Sequence, residues 1–324
     1  MKRRLILALV CMCMSVTGAP AAHAESGTQI ILLGTGGGPV PRKLRSQPAS
    51  LLVVNGRPYL IDCGDGVVRQ LALAGFAPPQ VEAVFLTHLH LDHTQGVASL
   101  LAFDWTGRGK KAMQIVGPPG TELLTQRALA YDAVAEAIFT PQLPGLPPMA
   151  DLVHARDVDL AAAATIFEDD RVRVRAVANS HYATMRLPRR SYGVDRSYSY
   201  RFETANRTVV FTGDTGPSDA VAQLAQGADV LVSEVIDTKA QLALIAARTL
   251  GASVSQQPLI DHMLKEHLAP EELGKLARDA HVKRVILTHF SPGADSETDL
   301  SGYTQGVKRY FSGPVTAGRD LDRF

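Results

Sequence analysis

Four side chains that bind metal ions well fall within six residues, His88-Leu89-His90-Leu91-Asp92-His93, directly after the mostly apolar run Val81 to Leu86. Imidazole and carboxylate are ligands that zinc and its neighbours prefer, and a centre with an open position turns bound water into hydroxide near neutral pH. A lone histidine is commonly a surface residue or a hydrogen-bonded core residue. The cluster resists that explanation, because three histidines and an aspartate at a strand end repel when charged and need partners when buried. The stretch reads as the start of a hydrolytic metal site.

Further ligand-type residues close three other extended runs. Arg171 to Ala178 alternates charged and apolar residues as a half-buried strand does, and leads into Asn179-Ser180-His181. Thr208 to Thr212 leads into Gly213-Asp214-Thr215-Gly216, and Val282 to Thr288 leads into His289. Each is weak alone, since an aspartate flanked by glycines also suits a plain turn. Their strength is collective: each puts a ligand just past a strand.

His88-x-His90-x-Asp92-His93, followed by His181, Asp214 and His289, resembles the metallo-β-lactamase-fold hydrolase superfamily over nearly the whole chain. The resemblance implies an α/β fold, a four-layer αββα sandwich with two metal ions at the sheet edges. It implies His88, His90 and His181 on the first ion, Asp92, His93 and His289 on the second, and Asp214 bridging both. In that superfamily the two ions share a hydroxide, which attacks while both cations neutralise developing charge. Zinc is the first expectation for both divalent ions, and the same ligands admit manganese or iron.

Flanking motifs narrow the branch. Leu33-Gly34-Thr35-Gly36-Gly37, Asp62-Cys63-Gly64-Asp65-Gly66, Phe211-Thr212-Gly213-Asp214-Thr215 and Thr288-His289-Phe290-Ser291-Pro292 resemble the ribonuclease Z group and its arylsulfatase-like relatives. Glu234 ends the apolar strand Val230 to Ser233, and His267 precedes Leu268-Ala269-Pro270-Glu271-Glu272, a helix start with proline at its first position. In the ribonuclease Z group a glutamate and a histidine at matching positions pair beside the metals. The resemblance implies that His267, held by Glu234, donates a proton or orients an anion at the scissile ester. Asp92, His267 and Glu234 are thus the expected catalytic residues, Asp92 also serving as a ligand.

These residues need a scaffold. Thr28 to Leu33, Ser50 to Val54 and Tyr59 to Asp62 read as strands, Gly66 to Leu73 as a helix, and Val81 to Leu86 as the strand feeding the histidines. Ala112 to Val116 reads as another strand and Glu122 to Ile138 as a helix. The Pro-rich stretch 141–148 reads as a loop over one end of the fold or a lid, such stretches being more often the former, and Gly117-Pro118-Pro119-Gly120 as a turn. From Ala150 onward the chain repeats the scheme of strands then helices, so one domain with internal pseudo-symmetry is expected. Gly34-Thr35-Gly36-Gly37-Gly38 is followed by prolines and basic residues, not by a helix. It suits close backbone approach near the metals, not a phosphate-binding fingerprint.

The 33 Lys+Arg, 32 Asp+Glu and 46% hydrophobic residues suit a globular enzyme and not a disordered or nucleic-acid-coating protein. The start of the chain reads as a secretory signal: basic Lys2-Arg3-Arg4, an apolar core Leu5 to Thr17, and small-residue Ala22-His23-Ala24. A permanent membrane anchor is not expected, because a spanning helix needs about 20 apolar residues. Residues 1–24 are the expected signal peptide, 25–324 the hydrolase domain, and the destination periplasmic or secreted. Cleavage removes three basic and no acidic residues, leaving 30 Lys+Arg against 32 Asp+Glu. It also leaves Cys63 as the one cysteine, so stability rests on the core and not on a disulfide.

Balanced charge, export and the lack of an extended basic arm point away from nucleic acid and toward a small anionic ester, either an aryl sulfate or a phosphodiester. Ser197-Tyr198-Ser199-Tyr200 and Val209 to Gly216 lean toward the sulfate branch. Arg42, Lys43, Arg45, Arg189 and Arg190 are candidate anion contacts, although basic loops are usually just solvated. Two alternatives remain: a lactonase or β-lactamase-type hydrolase of the same fold, disfavoured by Asp214, Glu234 and His267, and a metal-binding module without turnover, disfavoured by the complete ligand set. Relatives often form homodimers, and the sequence leaves assembly open.

Overall fold

A computed structural model of the protein describes residues 27–109, 111–248 and 255–324. The expected signal peptide lies outside the described residues. One six-stranded sheet has the order β1 (Thr28–Gly34), β2 (Ala49–Val54), β3 (Arg57–Ile61), β4 (Ala83–Phe85), β5 (Met113–Gly117) and β6 (Val153–Asp157). The first three strands form an antiparallel meander and the later ones pair in parallel. The second sheet holds β7 (Ala164–Glu168), β8 (Val172–Ala178), β9 (Tyr198–Thr204), β10 (Thr208–Phe211), β11 (Val230–Ile236), β12 (Val285–Ser291) and β13 (Val315–Ala317), side by side in that sequence. It too passes from antiparallel hairpins to parallel pairing. This repeated plan is the expected pseudo-symmetry.

The helices are α1 (Val67–Leu73), α2 (Leu91–Thr94), α3 (Val97–Thr106), α4 (Thr121–Phe139), α5 (Asp219–Leu224), α6 (Thr238–Arg248), α7 (Gln257–Lys265), α8 (Pro270–Asp279) and α9 (Ser301–Lys308). Three apolar clusters define four layers. Ile31, Leu51 and Val84 on the outer face of the first sheet meet Val67, Leu100 and Trp105 of α1 and α3. Ile30, Leu52 and Phe85 on its inner face meet Tyr200, Phe202 and Val232 of the second sheet. Val210, Leu231 and Val285 on the far side meet Val221, Leu273 and Val307 of α5, α8 and α9. Alternate residues of one strand thus serve different clusters, as the pleat requires. The αββα sandwich expected from the sequence is the observed fold.

The inner core also fixes the strand that carries the histidines. The Phe85 ring packs edge-on against Phe167, Tyr200 and Phe202, with centroids 5.3, 6.0 and 5.1 Å away. Replacing such a ring by alanine typically costs about 3–5 kcal/mol. Beyond it, Tyr200 donates its hydroxyl to Leu86 O, and Tyr198 N donates to Thr87 O at 2.8 Å. Tyr198 and Tyr200 are fully buried. The tyrosines that leaned the sequence reading toward sulfate therefore belong to the scaffold and do not meet substrate.

The Pro-rich stretch, expected over one end of the fold, packs on the outer face of the first sheet. Trp105 Nε1 donates to Pro147 O at 2.9 Å, and Leu143 and Leu146 pack against the outer cluster. Gly117 to Gly120 turns β5 into α4, as expected. No helix among the described residues is long and apolar enough to cross a membrane.

Candidate metal centre

β4, β8, β10 and β12 deliver their ligand-type residues to one edge of the sandwich. His88 and His90 occupy the loop after β4, and Asp92 and His93 sit on the short helix α2 that follows. His181 follows β8 and Asp214 follows β10. His289 lies inside β12, where the expectation had it just past the strand. Between the pairs Ser233–Leu287 and Val235–Phe290, one residue of β11, Glu234, stands against two of β12, Thr288 and His289. His289 takes up this bulge with φ of 46°, which turns its ring out of the pleat. Opposite the bulge stands Glu234, inside β11 instead of at its end. Gly37 must be glycine here, since an added Cβ would stand 2.7 Å from His289 Nδ1. The close backbone approach expected of the glycine run is thereby observed.

His88 Nε2 and His181 Nε2 lie 3.1 and 3.2 Å from His90 Nδ1. Ligands about 2.05 Å from a tetrahedral zinc stand roughly 3.3 Å apart, so these nitrogens suit a common ion. Asp92 Oδ2 lies 3.6 Å from His93 Nε2 and 3.5 Å from His289 Nε2. Asp214 stands between the groups, with Oδ1 3.5 Å from His93 Nε2 and Oδ2 3.9 Å from both His88 Nε2 and His181 Nε2. Its Oδ2 is also 3.2 Å from His289 Nε2. One carboxylate thus faces both trios.

The surroundings aim these atoms. His88 Nδ1 contacts Thr87 Oγ1 at 3.0 Å, His181 Nδ1 contacts Glu266 O at 3.0 Å, and His93 Nδ1 contacts Asp62 Oδ2 at 2.9 Å. Fixing one ring nitrogen sets the tautomer and presents the other, as in metal sites generally. His93 Nε2, Asp214 Oδ1 and His289 Nε2 are buried with no hydrogen-bond partner. Leaving buried polar atoms unpaired is costly, and divalent cations are the partners that this donor set fits. Burial drives His88 and His181 well below the ordinary histidine range and His90 down to about 4, which favours the neutral, ligating form. Burial acts the same way on His93 and His289, but Asp214 and neighbouring carboxylates outweigh it; His93 is held well above its usual value and His289 at about 10.

Next to His181 of the first trio, with ring centroids 4.9 Å apart against 6.3 Å to His289 of the second, His267 holds its Nδ1 2.6 Å from Glu234 Oε2. The other oxygen, Oε1, accepts the backbone N–H of Thr215, next to Asp214. Both side chains are buried. Burial opposes the charge on His267, and the Glu234 carboxylate more than offsets it, so the imidazole holds its proton more tightly than usual. A cavity of about 390 Å³, lined by His90, Asp92, Asp214, His267 and His289, opens onto this edge, within the size range of small-ligand pockets.

Every expected ligand and the Glu234–His267 pair meet at this one edge. Of the basic candidates, only Arg42 lines the cavity, and its Nη2 donates to Pro292 O. Arg45 stacks on Phe290 and donates to Thr35 Oγ1, while Lys43, Arg189 and Arg190 are exposed. Sequence reasoning missed the roles of Asp62, His262 and Glu266. Asp62 was visible only as part of a motif. His262 and Glu266 sit on and after α7, four residues apart, a spacing that signals one helix face and nothing about metals.

The model of the Beta-lactamase superfamily domain matches residues 57–290. A ribonuclease Z of Mycobacterium sp. (strain KMS) is 31% identical over 304 residues, covering 91% of this chain and 95% of the relative. The chain belongs to the ribonuclease Z group of the metallo-β-lactamase superfamily. A ribonuclease Z of Mycobacterium bovis (strain BCG / Pasteur 1173P2) is similar at 29% over 305 residues, covering 91% of this chain and 97% of its own. Among solved structures, the short form of human tRNase Z superposes with a TM-score of 0.64 at 20% identity, over 91% of this chain and 98% of its own. The metallo-beta-lactamase fold protein YhfI from Bacillus subtilis gives 0.62 at 18%, over 92% and 98%. These likenesses agree with the fold derived above. The protein is a metal-dependent hydrolase of that fold.

Proposed function

We propose that this member of the group hydrolyses phosphodiesters, with ribonucleotide chains as the substrate class, at a centre of two divalent ions. The observation that carries the proposal is the buried Glu234–His267 pair on the cavity that also holds Asp214. His88, His90 and His181 would hold one ion, Asp92, His93 and His289 the other, with Asp214 shared and zinc the preferred metal. Bound there, the cations supply positive charge toward the ester oxygens and acidify water near neutral pH.

The chain's own residues provide the rest. Nδ1 of His267 donates to Glu234, so Nε2 is the atom that meets the ester, where it gives a proton to the departing oxygen. Glu234 orients that ring and, through Thr215, keeps the Asp214 loop in register. Apolar Leu244, Ile245, Leu259 and Met263 wall the cavity and shelter the ester from bulk water.

Nucleic acid was set aside on balanced charge and export, and the full-length likeness to proteins named ribonuclease Z reverses that expectation. Overall charge does not decide the matter, because a centre of two cations focuses its own field on a phosphate. An aryl sulfate has lost its main support, as the tyrosines that suggested it are core residues. Export is kept as part of the proposal, which makes the substrate an RNA or nucleotide ester outside the cytoplasm.

The test is hydrolysis of an RNA oligonucleotide and a bis-aryl phosphodiester by the chain before and after chelation, and after refilling with zinc. Activity that disappears and returns supports the proposal; activity indifferent to metal contradicts it.

A further inference from the structure

Shelter from water does not account for the make-up of one wall of the cavity. α6 brings Gln241, Leu244 and Ile245 to it, and α7 brings Leu259, His262 and Met263. Both sets stand at i, i+3 and i+4, the spacing of one helix face. An amphipathic helix of a globular protein ordinarily lays its apolar stripe on the core. These two do otherwise. α7 has no fully buried residue, and among the described residues none of the three apolar clusters includes Leu244, Leu259 or Met263. Leu244 and Leu259 remain 36% and 42% exposed, so their apolar surface is open to a ligand.

The wall is continuous with the metal centre, since one cavity of about 390 Å³ holds it together with Asp214, His267 and His289. A group lying on Leu244, Leu259 and Met263 is therefore within reach of an ester held at the metals. The volume is near the small end of the range for ligand pockets, and it admits one ring system rather than a folded chain. In a nucleotide the phosphate and ribose are polar, and the base is the flat part with an apolar face and hydrogen-bonding edges. Leucine packs on such a face, and the methionine thioether adapts to ring edges. The carboxamides of Gln241 and Gln256 line the same cavity and carry both donors and acceptors, for which a plain aryl ring has no use. We propose that α6 and α7 form a nucleobase subsite, in which Leu244, Leu259 and Met263 pack against the base next to the scissile phosphate. The inference rests on the phosphodiester reading above and deepens it: the unit recognised inside the cavity is a single nucleotide.

The experiment measures, by titration calorimetry on the zinc-loaded chain, the affinity for adenosine monophosphate, for ribose phosphate esterified at the same hydroxyl and for phenyl phosphate. Hydrolysis of a bis-aryl phosphodiester is followed alongside. Wild type should bind the nucleotide about tenfold more tightly than ribose phosphate, the size expected of a base packed on apolar side chains, with phenyl phosphate in between. Leu244→Gln and Met263→Gln, one on each helix, should each lower that preference about fivefold, as loss of one buried methylene does. Met263→Leu, which keeps an apolar side chain, should retain it. The ratio cancels any change in how the metals hold the phosphate. A preference unchanged in both Gln variants overturns the inference, because the base then binds elsewhere. Phenyl phosphate bound as tightly as the nucleotide also overturns it and makes the wall a subsite for simple aryl esters. Wild type that hydrolyses the bis-aryl ester but binds nucleotide and ribose phosphate equally overturns the inference alone. Wild type that hydrolyses no phosphodiester removes the parent reading, and with it the inference as a statement about substrate.

Discussion

Glu234 holds His267 by a 2.6 Å contact to Nδ1 and, with its other oxygen, holds the backbone of Thr215 beside Asp214. One buried carboxylate thereby couples the orientation of the proposed proton donor to that of the carboxylate shared by both metal groups. It does so from a position opposite a bulge in β12 that also carries His289.

His267→Ala should leave metal content at two ions and lower turnover by about 10²-fold, within the usual range for a general acid. The loss should shrink for aryl esters whose leaving group needs no proton. Metal loss on substitution, or a deficit independent of the leaving group, would assign His267 a different task.

Asp62→Ala should weaken the second ion selectively. Asp62 Oδ2 holds His93 Nδ1 directly, and Asp62 also anchors Thr87, whose hydroxyl contacts His88 Nδ1, so the substitution frees the His93 ring outright and reaches the first trio only through Thr87. Affinity for one ion should fall about 10–100-fold, measured by competition with a chelating dye. Equal loss of both ions would contradict this division.

Asp104 gives a pH test away from the metals. Burial pushes its carboxyl up to about 6, against about 3.9 in an unfolded chain. The folded state thus binds the proton more tightly between those values, and stability falls as pH rises through that window. Asp104→Asn should remove this loss, raising stability at pH 7 relative to pH 4 by roughly 1–3 kcal/mol compared with wild type. Parallel pH profiles of the two proteins in urea unfolding would refute it.

The leader reading predicts that the chain, produced in a host with a secretory pathway, begins at Glu25 after cleavage behind Ala24. N-terminal sequencing of the exported fraction decides it; an intact Met1 in that fraction would contradict it.

Much of this was legible in the sequence because strand ends announce themselves. Apolar runs stop where ligand residues start at His88, His181 and Asp214, and the motif spacing carried the fold. The place of His289 and Glu234 within their strands was not legible, since a bulge arises from pairing with a distant strand and leaves no local pattern. The same holds for His262 and Glu266, whose helix comes to the centre through tertiary packing alone. Tyr198 and Tyr200 show the converse, residues that stood out in a motif and proved to be buried supports for β4.

The most direct test of the central proposal is a head-to-head comparison on the zinc-loaded chain of a bis-aryl phosphodiester, an aryl sulfate, a lactone and a β-lactam. The account predicts that kcat/KM is highest for the phosphodiester and that Asp214→Ala abolishes it with release of at least one ion. Preference for the sulfate, lactone or lactam, or full activity in Asp214→Ala, would contradict it.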